Sequence, residues 1–209
     1  MKKKVLLSND EIDRIVEFQS QLKISNANFG QKDSGNRDRE IMLRDMLVGK
    51  AGEVALQKFL KDSFDIHVDI DWEIYDKFTG DAQDFLIHHH RFEVKSIKRG
   101  NWFLIEQDTL ARRKAQRTVP HYYVLVHVPF NEQTNRPLNH AYILGYCSLD
   151  DLASSENLLL KGSELPDKKV KLLATNFGMH NSELRTNWPV LFYQLKDIES
   201  SIYALRNVN

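Results

Sequence analysis

The order of helical and strand patterns predicts an α/β or α+β protein with a mixed β-sheet flanked by helices. Two helical segments come first, a group of strands and a third helix follow, and then comes an almost wholly apolar strand. This strand, residues 122–128 (YYVLVHV), is typical of a buried central strand. The chain has 209 residues, of which 42% are hydrophobic, so it can bury its own core and we expect a single domain over residues 1–209.

The N-terminal third contains the two helical segments. Ser8 and Glu11 have the S-x-x-E spacing of a capping box, which predicts a helix from Ser8 to about residue 23. Residues 24–37 are polar and contain glycine, so they are interpreted as a loop. A longer helix over residues 37–60 is apolar on most of its surface, which indicates that it is largely buried.

Glu53 stands out within this second helix because it lies in the middle of an apolar stripe. Gly49 and Gly52 are on the same side of the helix and would let it approach a strand closely. A buried carboxylate is costly unless it is paired or binds a metal ion. The sequence therefore predicts a charged partner for Glu53 in the interior.

Strand patterns separated by turns fill the middle of the chain. The predicted strands are residues 65–78, 84–87, 92–97, 102–105, 122–128 and 141–146. Between them we expect turns at 79–81, 88–91 and 99–101, a short basic helix over 108–118 and a loop over 131–139. Beyond residue 148 the patterns weaken, and they favour a helix over 149–160, a loop over 161–169, a strand over 190–193 and a helix near 198–205.

The charges are balanced overall but unevenly distributed. With 29 basic and 29 acidic residues, the chain does not have the positive charge of an indiscriminate nucleic-acid binder. Residues 62–84 contain eight acids and one base, whereas residues 91–117 contain eight bases and three acids. An acidic cluster beside a basic stretch fits a metal-dependent enzyme acting on a polyanion. The alternative is two solvated surfaces of opposite sign.

Several function classes are excluded by composition and motif. The single cysteine, Cys147, excludes a disulfide within the chain and favours a reducing compartment. The N-terminus, MKKKVLL, lacks the apolar stretch of a signal peptide, and no segment has the ~18–20 apolar residues that cross a bilayer. We therefore expect a soluble cytoplasmic protein without a membrane partner. No phosphate-binding loop is present, so no nucleotide cofactor is expected. No zinc-ligand spacing is present either, so no structural zinc site is expected.

Glu93-Val94-Lys95, nine residues after Asp84, is the most informative motif. On a strand, Glu93 and Lys95 point to the same face, and Asp84 can lie at the mouth of the preceding strand. Two carboxylates suit a hard cation such as Mg²⁺, and an adjacent lysine can orient a water molecule. Two carboxylates and a lysine in this arrangement are the groups that metal-assisted hydrolysis of a phosphodiester requires. The alternative, a surface hairpin with a cross-strand ion pair, leaves Glu53 unexplained.

Glu53 on a helix, followed by Asp84 and the Glu93-x-Lys95 pair, resembles the PD-(D/E)XK nuclease superfamily. The proline of that motif is not present, because Ala82-Gln83 precede Asp84. The similarity is greatest to type II restriction endonucleases. It implies a restriction-endonuclease-like fold with a catalytic core over about residues 37–147, preceded by a helix and loop (1–36) and followed by a C-terminal elaboration (148–209).

The resemblance implies a role for each matching residue. Asp84 and Glu93, with the Val94 backbone carbonyl, would hold Mg²⁺, for which Mn²⁺ can substitute. Lys95 would position or activate the attacking water, and Glu53 would bind a second ion or a water on the first. Asp81 competes with Asp84 as the metal ligand. The implied reaction is endonucleolytic hydrolysis of DNA to 5′-phosphate and 3′-hydroxyl ends.

Double-stranded DNA is the implied partner, and a homodimer would match a twofold-symmetric recognition site. The candidate DNA contacts are Arg112, Arg113, Lys114 and Arg117 on the basic helix, together with Gln107 before it. Residues 31–39 and 175–185 are polar segments that are candidates for reading bases. A structure-selective nuclease of the junction-resolvase type and an inactive nuclease-fold DNA-binding module remain as alternatives.

Overall fold

The computed structural model of the chain describes residues 2–24, 39–74, 84–165 and 168–196. The helices are α1 (Asn9–Ile24), α2 (Arg39–Phe64), α3 (Gln107–Gln116), α4 (Leu149–Leu152) and α5 (188–196), with a 3-10 turn at Ser155–Asn157. The first strands are β1 (Lys3–Leu6), β2 (Phe85–Ile87), β3 (His90–Ile97), β4 (Trp102–Glu106) and β5 (Tyr122–His127). The later strands are β6 (Phe130–Asn131), β7 (Arg136–Pro137), β8 (His140–Ser148), β9 (Leu158–Leu159), β10 (Glu164–Leu165), β11 (Lys168–Lys171) and β12 (Asn176–His180).

The largest sheet has five strands in the order β1-β8-β5-β3-β2. Strands β3 and β5 run parallel, whereas the other neighbours in this sheet are antiparallel. The crossover between the parallel pair contains β4 and α3. The prediction of an α+β protein with a mixed sheet flanked by helices is therefore confirmed.

Alternation along β5 explains why both faces of this sheet are covered. Val124 and Val126 point into a core formed with α2 and α5, whereas Tyr123 and Leu125 point into a second core formed with β4 and α3. All four side chains are almost fully buried. The apolar run 122–128 thus forms the central strand that its composition predicts.

Helix α2 packs closely on β3, and Gly52 makes this possible. A Cβ atom at Gly52 would lie 1.9 Å from the Ser96 hydroxyl oxygen and 3.1 Å from the Ser96 Cβ. The expectation for Gly49 is wrong, because a Cβ there would meet nothing within 4 Å. Only one of the two glycines is therefore required for the close approach of the helix to the strand.

The N-terminal segment forms both an edge strand and a capped helix. Ser8 and Glu11 make the reciprocal hydrogen bonds of a capping box, as their spacing predicts. Before the helix, Val5 of β1 pairs with Ala141 of β8 and joins the main core. Strand β1 could not be predicted from the sequence, because a four-residue strand is specified by its partner more than by its own pattern.

Two strand predictions are wrong. Residues 65–74 form no strand, although their alternating apolar side chains do pack against the main core. Residues 190–193 belong to α5, in which Trp188, Leu191, Phe192 and Leu195 are buried at helical spacing. In both cases a short apolar pattern fits either state, and the tertiary neighbours decide between them.

The remaining predictions are confirmed, corrected in part or concern residues outside the described ranges. The expected loop 131–139 includes part of the β6–β7 hairpin, and the expected helix 149–160 is the short α4 followed by a 3-10 turn and β9. Residues 176–180, within the expected base-reading segment 175–185, form β12, which pairs with β4 and β9. Three predicted segments lie wholly or almost wholly outside the described residues: the loop 24–37, the turn 79–81 and the helix 198–205. In the part of the chain that the structure describes, no helix is both long and apolar enough to span a bilayer.

Candidate active site

Asp84 lies at the edge of the main sheet, immediately before β2 begins. Its backbone N–H donates to the Phe92 carbonyl at 3.1 Å, and its Oδ2 accepts a hydrogen bond from the Val94 N–H at 2.6 Å. The Asp84 carboxylate therefore covers the edge of β3 where the pairing with β2 ends. Because the N–H and C=O of a strand residue face the same edge, the Val94 carbonyl also faces this edge. The competing candidate, Asp81, lies outside the described residues.

Glu93 and Lys95 share one face of β3, as their spacing predicts, and their charged groups form an ion pair. Glu93 is only 5% exposed. Its second carboxylate oxygen contacts the guanidinium of Arg113, which extends from α3. On neighbouring β5, Tyr123 pairs in register with Glu93. Glu93 is therefore a buried carboxylate held by two cations, one at each of its oxygens.

Glu53 approaches the same edge from the other face of the sheet, where α2 packs on β3. Its Oε2 lies 2.6 Å from the Nζ of Lys50, three residues earlier on the helix. Lys50 also donates to the Asp71 carbonyl at 2.7 Å. The interior partner that the sequence predicts for Glu53 is thus, in this structure, a lysine. The i, i+3 spacing within a buried helix is the signal that could have identified it.

The pKa of Glu53 shows how closely these groups interact. Burial and then the neighbouring Asp84 carboxylate raise this pKa to about 7 from 4.5, although Lys50 opposes the rise. A carboxyl group with this pKa is poised between its neutral and charged forms at neutral pH. Glu53 and Asp84 thus act on each other although they come from different elements.

Asp84 connects the two faces of the site electrostatically. Burial raises its pKa, and this rise is opposed by the Val94 N–H, by Lys95 and Arg113 on one face, and by Lys50 on the other. Burial also lowers the pKa of Lys95, whereas Asp84 raises it. We call this group of six side chains the edge cluster; it consists of Lys50, Glu53, Asp84, Glu93, Lys95 and Arg113.

Tyr123 adds an unexpected buried hydroxyl beside the edge cluster. Among the described residues its oxygen is one of three buried side-chain polar atoms without a hydrogen-bond partner. Burial raises the pKa of Tyr123 to about 12, while Arg113 opposes this shift. The sequence analysis did not select Tyr123, because it lies within an apolar run that indicates only a buried strand.

The donor chemistry of the edge cluster suits a hard divalent cation, although its present geometry does not form a complete set of ligands. Within the described ranges, no group of three or more His, Cys, Asp or Glu side chains is arranged to hold a metal ion. Asp84 and the Val94 carbonyl supply oxygen atoms at one edge, and oxygen is the donor that Mg²⁺ prefers. Glu93 would have to exchange its contacts with Lys95 and Arg113 to join them. The residues therefore fit an ion that competes with these cations for Glu93.

Helix α3 places the basic residues that the sequence singled out as DNA contacts. Arg112, Lys114 and Arg117 are exposed, as is Gln107 at the start of the helix. Arg113 differs from them because it turns inward to Glu93. The helix thus joins an exposed basic surface to the edge cluster.

The three consecutive histidines form a turn and the start of a strand. His88 and His89 are the two central residues of the β2–β3 hairpin, and both have positive φ, 47° and 63°. His90 begins β3 and packs edge-on against His121, with ring centroids 5.3 Å apart. Burial and then His121 lower the pKa of His90, so it favours the neutral form. His88 and His89 thus form the turn that the sequence predicts at residues 88–91, whereas His90 and Arg91 belong to the following strand.

Comparison of the chain with protein-family models, with curated proteins and with solved structures found no match. The functional interpretation of the edge cluster therefore depends on its own residues and geometry.

Proposed function

We propose that the protein is a Mg²⁺-dependent endodeoxyribonuclease with a restriction-endonuclease-like core. The observation that carries the proposal is the convergence of Glu53, Asp84, Glu93 and Lys95 in one partly buried cluster at the edge of the sheet. These residues are separated along the chain and come from α2, from the position just before β2 and from β3. A surface hairpin with an ordinary ion pair would not need a carboxylate from a buried helix beside it.

Each residue has a chemical role in the proposed reaction. Asp84, Glu93 and the Val94 carbonyl would hold the divalent ion. When bound, Mg²⁺ supplies a Lewis acid that offsets the negative charge developing on the phosphoryl oxygens. Lys95 orients the attacking water, and its lowered pKa brings the amine closer to accepting a proton at neutral pH.

The substrate that fits this site is double-stranded DNA. The exposed Arg112, Lys114 and Arg117 would contact backbone phosphates, which position a duplex without reading its sequence. Arg113, which contacts Glu93, would meet the phosphate nearest the metal ion. The products would carry 5′-phosphate and 3′-hydroxyl ends. A sequence-specific restriction enzyme acting as a homodimer is the form of this activity that we propose.

The test is incubation of the purified protein with plasmid and phage DNA, first with Mg²⁺ and then with EDTA. We expect cleavage that requires the metal ion, and discrete fragments if the enzyme is sequence-specific. Lys95→Ala should lower the cleavage rate by about 10²–10⁴-fold, the usual contribution of a positioned acid or base. Asp84→Asn should abolish cleavage because it removes a metal-ligand charge.

Lys98→Ala is the matched control for Lys95→Ala. Lys98 lies just beyond β3 and pairs with Asp45 at 3.5 Å, outside the edge cluster, so the wild-type rate should be retained. The absence of metal-dependent cleavage on every DNA, or full activity in Lys95→Ala, would contradict the proposal. A smear of products, or a preference for branched over linear DNA, would contradict sequence specificity while retaining nuclease activity.

A further inference from the structure

Lys50 is a buried lysine whose ammonium group has several close partners. The residue is 9% exposed, although a lysine side chain normally keeps its ammonium in water. Its Nζ lies 2.6 Å from Glu53 Oε2 and 2.7 Å from the Asp71 carbonyl oxygen. The rings of Phe18 and Trp72 flank the same ammonium, with centroids 5.0 and 5.6 Å away. Groups from α1, from α2 and from residues 65–74 therefore fix the position of this charge.

The Lys50 ammonium interacts electrostatically with two carboxylates of the edge cluster, those of Glu53 and Asp84. It opposes the burial-induced rise in pKa of both Glu53 and Asp84. In nucleases with two metal ions, the second ion sits about 3.5–4 Å from the first and neutralises the acids and oxygens on its side. Mg²⁺ requires oxygen ligands at about 2.0–2.1 Å, and the Lys50 hydrogen bond already occupies Oε2 of Glu53. The ammonium thus already supplies, beside Glu53, the positive charge that a second ion would otherwise bring.

The charges of the edge cluster lead to the same conclusion. When all of these groups are ionised, its three carboxylates are matched by three cations, and the nearby Asp71 carboxylate adds one further negative charge. One divalent ion changes this sum from −1 to +1, which suits an anionic phosphodiester. A second divalent ion would raise it to +3 in a group that is mostly removed from water, which is strongly unfavourable.

We propose that the edge cluster takes a single divalent cation, at Asp84, Glu93 and the Val94 carbonyl, and that the Lys50 ammonium replaces a second ion beside Glu53. Lys50 is then a positioning residue that holds the Glu53 carboxyl group in place beside Asp84. This inference rests on the proposed function, because it concerns the number of ions that the same site accepts. In this inference Glu53 is the ion-pair partner of Lys50 and does not bind the metal ion directly.

The experiment is a calorimetric titration of the metal-free, full-length protein with Mn²⁺ alone, with paramagnetic resonance to count the bound ions. We expect one Mn²⁺ per chain in the wild type and none in Asp84→Asn. Lys50→Met removes the ammonium but keeps an unbranched side chain, and it should bind two Mn²⁺ per chain. Lys58→Met is the matched control, since Lys58 lies on the same helix and pairs with Glu11 at 3.2 Å, and it should bind one.

Glu53→Gln provides a second readout if Lys50→Met does not fold, which near-ultraviolet circular dichroism would reveal. With Lys50 in place of a second ion, Glu53→Gln should still bind one Mn²⁺. Its affinity for Mn²⁺ should fall by no more than about 10–100-fold, the usual effect of changing a residue that supports the metal ligands without binding the ion. Two ions in the wild type, one ion in folded Lys50→Met, or loss of the ion in Glu53→Gln would overturn the inference. Two ions together with Mg²⁺-dependent cleavage would leave the proposed function intact, whereas no ion in the wild type would contradict both.

Discussion

Individual residues decide the character of the edge cluster, and Glu93 is the most constrained of them. Its carboxylate is buried, and each of its oxygens contacts a cation, Lys95 on one side and Arg113 on the other. A buried carboxylate that loses a partner keeps the cost of its lost hydration. Arg113 therefore has a structural role in the metal-free protein in addition to the phosphate contact that we propose.

Arg113→Ala should destabilise the protein by about 1–3 kcal/mol, because Glu93 would retain Lys95 as its one charged partner. Urea denaturation of the metal-free protein measures this change. Arg112→Ala is the control, since Arg112 is exposed on the neighbouring position of α3, and it should change the stability by less than about 0.5 kcal/mol. Equal stabilities for the two variants would show that the contact between Arg113 and Glu93 contributes nothing measurable.

At the scale of elements, the packing of α2 on β3 brings Glu53 to the edge of the sheet. The crossing depends on Gly52, where a Cβ atom would collide with the Ser96 side chain. Gly49, one turn earlier, faces open space, although its carbonyl accepts a weak hydrogen bond from the Ser96 hydroxyl at 3.5 Å. Two glycines in the same helix therefore have opposite expected responses to the same substitution.

Gly52→Ala should destabilise the protein by about 1–3 kcal/mol, the usual cost of overpacking a core. Gly49→Ala should stabilise it by up to about 1 kcal/mol, because alanine favours the helix and the added methyl group meets no neighbour. Thermal and urea denaturation of both variants test this. Removing the Ser96 hydroxyl in Gly52→Ala/Ser96→Ala should restore part of the loss, and a loss of stability in Gly49→Ala would contradict the proposed packing.

At the scale of the whole molecule, the edge cluster makes stability depend on pH. Burial and then Asp84 raise the pKa of Glu53 to about 7 from 4.5, so between these pH values the folded chain keeps a proton that the unfolded chain releases. The free energy of unfolding therefore falls as the pH rises through this window. One pKa unit corresponds to about 1.4 kcal/mol, so the full shift corresponds to a fall of ~3 kcal/mol. Burial raises the pKa of Asp84 as well, which adds to the fall.

Urea denaturation in EDTA at a series of pH values should show this decline for the wild-type protein. Glu53→Gln cannot ionise, so its stability should decline less between pH 4.5 and 7. Glu17→Gln, at an exposed position of α1, should follow the wild-type curve. If Glu53→Gln and the wild type declined in parallel, Glu53 would not be the buried acid described above.

The sequence predicted the elements whose patterns are long or locally determined. The capping box at Ser8, the length of α2 and the buried strand β5 each follow from spacing or composition. The sequence also indicated that Glu93 and Lys95 share a face, because the two-residue period of a strand fixes it. It missed β1, β12 and the short strands β6, β7, β9, β10 and β11. It also misassigned residues 65–74 and α5, because such short segments take their state from their tertiary partners.

The sequence by itself determined which charged residues are present and that a carboxylate in an apolar helix must have an interior partner. Only the tertiary structure decided what that partner is. The sequence places Lys50 three residues before Glu53 but does not show that the two side chains meet in the interior, and it does not distinguish Arg113 from the exposed bases on α3. Whether a charge is neutralised depends on distances across the fold, and these depend on how α2 and α3 pack on opposite faces of β3.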